Sequence, residues 1–108
     1  MCDDEIDFMV LSAIIFNNIN SDKKINPNDY SLKMLSMMTI YNFIDILKNS
    51  DLPHKDNLYH IILNQTNQVF DILLMDGSIK PIFEEEPEYI KEYANEISQK
   101  IFKKLFEK

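Results

Sequence analysis

Arginine is missing from this chain, and all eleven of its basic residues are lysine. Without a guanidinium fork there is no bidentate recognition of phosphate or carboxylate. Glycine is almost as scarce. Gly77 is the only one, which excludes a glycine-rich phosphate loop and a serine nucleophile elbow flanked by glycines. The single cysteine is Cys2. One thiol forms no intrachain disulfide and no thiolate metal cluster. At a chain end, with no histidine near it in sequence, it is also poorly held for nucleophilic work. Long apolar runs are absent as well. The most apolar stretch, Phe8 to Phe16, is about half the length a bilayer-spanning helix needs. The opening residues MCDDEID are acidic where a secretory leader would be basic. A reducing, cytoplasmic setting is the expectation.

What is present describes an acidic globular protein. The formal charge is −7 and the isoelectric point about 4.7, which argues against general affinity for nucleic acid or an anionic membrane surface. Hydrophobic residues make up 45% and charged residues 27%, the balance of a folded domain rather than a disordered tail. With 108 residues the expectation is a single helical domain, 1–108, able to bury one core without staples. Abundant Asn, Ile and Lys without Arg suit an AT-rich coding sequence of bacterial or phage type.

Four segments carry helical periodicity. The first spans about Asp4 to Asn18, with Phe8, Leu11, Ile15 and Ile19 on one face and Met9, Val10, Ile14 and Phe16 widening it. Asp3, Asp4, Glu5 and Asp7 suit the positive end of its dipole. So broad an apolar girth predicts a helix that is central or lies at a subunit interface. Pro27 interrupts, Asn28 or Asp29 can cap, and a second helix is expected to reach about Lys48. Its stripe is Met34, Met37, Ile40, Ile44 and Leu47, with Asn42 and Asp45 at a wet edge. Met34, Met37 and Met38 have the spacing of one buried face, although sulfur-rich surfaces also serve as docking sites.

Pro53 breaks the chain again. From about Asp56 to Met75, the residues Leu58, Ile61, Ile62, Gln65, Val69, Ile72 and Leu73 describe a third amphipathic helix. Asp76-Gly77 then reads either as a helix stop or as a hairpin turn. Pro81 demotes the would-be second strand, so the stop is preferred. The last helix is expected from Glu86 or Pro87, seamed by Ile90, Ala94, Ile97, Ile101 and Leu105, with Tyr93, Phe102 and Phe106 alongside. Acids 84–88 and lysines 100, 103, 104 and 108 suit its two ends. Four such helices with short connections predict an all-α, four-helix bundle.

Candidate chemistry is thin. Read as a calcium loop, the segment from Asn18 puts Asn20 and Asp22 at ligand positions. It then places Lys23 where glycine is needed and Asp29 where a bidentate Glu belongs. His54 and His60 are six residues apart and do not share a helix face as an i, i+4 metal pair would. Glu84, Glu85, Glu86 and Glu88 read as electrostatic capping before paired catalytic carboxylates. No catalytic residue, cofactor-binding residue or metal ligand is assigned on this basis, and no enzyme is expected. The surplus of large apolar side chains suggests a homodimer burying part of the first or second helix. An acidic inhibitor or immunity-type protein for a basic partner is the alternative. A small enzyme would need a pocket gathering His60, Asp45 or Tyr41.

Overall fold

In the computed structural model, residues 8–21, 32–53, 55–77, 79 and 86–106 are described. Among them there are four helices and no strand: α1 (Phe8–Ser21), α2 (Leu32–Lys48), α3 (Lys55–Met75) and α4 (Glu88–Phe106). The all-α, four-helix architecture expected from periodicity is the observed one. The acids before Phe8, the capping residues Asn28 and Asp29, and the strand-edge Pro81 lie outside the described residues.

The core is built around α2. Met34, Met37, Ile40, Ile44 and Leu47 are buried as the stripe predicts, and so are Leu35, Met38 and Phe43 on the adjoining faces. A helix apolar over that much of its circumference has to be surrounded. Accordingly α2 makes its largest contact with α4, the next with α3 and a third with α1. The three methionines are 2–4% exposed. They are the inside of the bundle and not a docking surface.

From α1 the core receives Leu11, Ile15 and Ile19, and from α4 it receives Ile90, Tyr93, Ala94, Ile97, Ile101 and Phe102. At one end, the rings of Phe43, Phe102 and Phe106 meet with centroids 5.0–6.3 Å apart, within the range for favourable tilted aromatic packing. Buried hydroxyls are satisfied locally: Thr39 Oγ1 donates to Leu35 O at 2.8 Å, and Thr66 Oγ1 to Ile62 O at 2.7 Å. Among the described residues, the buried hydroxyl of Ser36 has no partner.

Helix α3 corrects part of the expected pattern. Leu58, Ile62 and Thr66 face inward, whereas Ile61 and Ile72 point to solvent. A run dense in Ile and Leu fills more than one face, and α3 meets its neighbours on only one side. At its end Gly77 adopts φ +78° and donates its N–H to Leu74 O at 3.2 Å. This is the left-handed C′ residue with one of the two bonds of a Schellman motif, so Asp76-Gly77 stops a helix. At the other boundary, Pro87 stands one place before α4 and its carbonyl accepts from the N–H groups of Ile90 and Lys91.

Candidate functional site

The residues that would have signalled an enzyme are not gathered. His60 is exposed on α3, with its ring at the edge of Tyr59. Tyr41 lies at the α2–α3 contact, where its hydroxyl donates to Asn67 Oδ1 at 2.7 Å and its ring meets Phe70 edge-on at 5.7 Å. Burial, and then the nearby Asp71 carboxylate, push the Tyr41 phenol above the usual tyrosine value. Asp45, one turn further along α2, is exposed and lines a groove against α4. Cys2, His54, Glu84, Glu85 and the trial calcium-loop residues beyond Ser21 lie outside the described residues. Among the described residues, no group of three or more His, Cys, Asp or Glu side chains is placed to hold a metal, and no helix is long and apolar enough to cross a membrane.

Two surface features stand out instead. The first is the outer face of α1. Met9, Ala13 and Phe16 follow one another at i, i+4 and i+7, so they form one stripe, and all three are exposed. Met9 is 76% and Phe16 45% accessible. The helix FMVLSAIIFNNINS has no charged residue along its whole length. Two of its polar side chains bond their own backbone: Ser12 Oγ donates to Met9 O and Asn18 Nδ2 to Ile14 O. Large apolar side chains exposed along a helix without charged residues are the informative kind of surface.

The second is an open groove of about 730 Å³ between the C-terminal half of α2, the α2–α3 connection and α4. Its α2 wall carries Asn42, Asp45 and Asn49, and Asp51 follows in the connection. On the α4 wall stand Asn95, Gln99 and Lys103, while Ile46, Leu52 and Phe102 supply the apolar floor. Phe102 is held by its packing on Phe43 and Phe106, so the floor is fixed by the core itself.

A lysine from the next helix organises the connection. Lys55 Nζ donates to Lys48 O at 2.9 Å and to Ser50 O at 2.6 Å. The carbonyls at a helix C-terminus lack intrahelical donors and carry the negative end of the dipole, so an ammonium is favoured there. Ser50 Oγ donates to Leu47 O at 2.7 Å, and Asn49 Nδ2 to Asp45 O at 3.0 Å. Lys48 itself lies over the Tyr59 ring at 5.9 Å. Sequence reasoning placed Asn42 and Asp45 at a wet edge but gave no sign of the groove. Its other wall comes from α4, about fifty residues away, and only the fold brings the two together. Compared with protein-family models, curated proteins and solved structures, the chain matches none of them.

Proposed function

We propose that this chain is a non-catalytic helical protein that works through protein contacts, pairing with a second copy of itself across the outer face of α1. The observation that carries this reading is the exposed Met9–Ala13–Phe16 stripe on a helix with no charged residue. Water around exposed apolar surface is released when that surface is covered. A second copy is the occupant that fits the electrostatics. Two chains of charge −7 repel one another, and Phe8–Ser21 itself brings no charge into their contact.

The stripe is also self-complementary. Small Ala13 lies between two large side chains, so in an antiparallel two-fold pair Phe16 of one copy meets Met9 of the other around a close approach at Ala13. Fourteen helical residues extend only about 21 Å and cover less than the roughly 800 Å² per partner of a standard interface. The dimer is therefore expected to be weak and reversible.

Sedimentation equilibrium over a concentration series tests this. A mass rising toward the dimer for the wild type, and a monomer for M9K/F16K with unchanged helicity, is the expected pair of results. A clean monomer up to about 0.1 mM, weaker than a 0.1 mM Kd, sinks the proposal. A second reading, an acidic inhibitor of a basic protein, is supported by Glu88, Glu92 and Glu96. They are exposed on α4 and repeat every four residues, about 6 Å apart along the axis.

A further inference from the structure

We infer that the groove between α2, the α2–α3 connection and α4 is a binding site for an organic cation, a guanidinium or ammonium group on an apolar stem. The inference is independent of α1. A volume of about 730 Å³ lies within the range of small-molecule sites, and the floor of Ile46, Leu52 and Phe102 suits a hydrocarbon stem.

The polar lining sets the sign of the ligand. Asp45 and Asp51 face the groove, and among the described residues neither carboxylate has an ion pair. Ionised carboxylates only accept hydrogen bonds. One N–H of the Asn49 amide is given to Asp45 O, which leaves its side-chain oxygen as an acceptor and its second N–H as a donor. The hydroxyl proton of Ser50 is committed to Leu47 O. On this wall the two carboxylates are the only charged groups, and the amides of Asn42 and Asn49 beside them can accept as well as donate.

Lys55 already caps the end of α2 through the carbonyls of Lys48 and Ser50, at 2.9 and 2.6 Å, so the carboxylates of Asp45 and Asp51 are what is left to hold a cation. Lys103 on the opposite wall opposes a cation there and so orients the ligand, with its charged end toward α2 and its stem over Phe102. Two sources carry this chemistry, a free small amine or guanidine and an arginine or lysine side chain of a polypeptide.

The test is an NMR titration of the full chain with butylguanidinium, with neutral butylurea as control. Saturable shifts at the side-chain amides of Asn49, Asn95 and Gln99 are expected with the cation and not with the urea. D45N/D51N should weaken binding about tenfold or more, and K103M should tighten it. All three positions are exposed, and the unchanged spectrum of each free variant checks that it folds. Equal response to cation and urea, or undiminished binding by D45N/D51N, overturns the inference. An end-blocked Gly-Arg-Gly peptide separates the sources. Tighter binding than butylguanidinium assigns the groove to a polypeptide side chain, and weaker binding assigns it to a free small cation.

Discussion

Helices α1 and α2 are the two most apolar segments of the chain, and they end up in opposite situations. On α2 the apolar side chains are buried on several faces because three other helices surround it. On α1 one stripe, Leu11, Ile15 and Ile19, is buried to 1% exposure or less, while Met9 and Phe16 remain in water. Apolar girth therefore does not by itself mean enclosure: α2 is wrapped by three helices, whereas α1 leaves one apolar stripe in water. Position in the bundle separates the two cases, and composition does not.

The largest expected effect sharpens this contrast. Phe43→Ala removes a fully buried ring that packs on Phe102 and Phe106. It should cost about 3–5 kcal/mol, since α2 and α4 cannot both close on the space left behind. Met9→Ala, also an apolar truncation, should change the stability of the monomer by no more than about 0.5 kcal/mol. Urea unfolding at low protein concentration reads both. Comparable losses would mean that α1's outer face is covered within the chain, and the contrast would fail.

Much of this fold was legible in the sequence because its signals are local. Pro53 and Gly77 punctuate the chain, and the Ile90–Leu105 seam follows a strict helical period. The α4 seam runs as expected through Ile90, Ala94, Ile97 and Ile101, all buried. The reading failed where the outcome depends on which neighbour is present. Ile61 and Ile72 match a helical stripe as well as Leu58 and Ile62 do, yet only the latter pair has a helix to pack on. Thr66 is polar and yet fully buried, its hydroxyl bonding back to Ile62 O. The groove was invisible for a stronger reason. Asp45 and Gln99 are neighbours only after α2 and α4 have packed.

A smaller effect is expected at the exit of α2. Lys55→Met keeps the apolar stem but removes the ammonium that bonds Lys48 O and Ser50 O. Because Lys55 is only half-buried, water replaces part of what is lost, and a cost of about 1 kcal/mol is expected. Amide exchange should quicken at Asn49 to Leu52 and stay unchanged in α1. Exchange unaltered at the connection would show that the lysine decorates the turn without holding it.

The smallest effect concerns the edge of α2 toward α3. Burial first, and the Asp71 charge second, raise the Tyr41 phenol above its usual value of 10.0. Above pH 10 the unfolded chain loses this proton while the folded chain keeps it, so the unfolded state binds fewer protons. Stability then falls as pH rises through that window, and below it the group contributes no pH dependence. Tyr41→Phe removes the titrating group and should flatten the alkaline decline above about pH 10. At neutral pH it costs about 1 kcal/mol or less through the lost bond to Asn67. Asp71→Asn should flatten the decline only in part, since the charge is the lesser of the two causes. Thermal melts of the three proteins across that range decide the matter. If Asp71→Asn flattens the slope as fully as Tyr41→Phe, the charge outweighs burial and this edge of α2 is wetter than its contact with Phe70 implies.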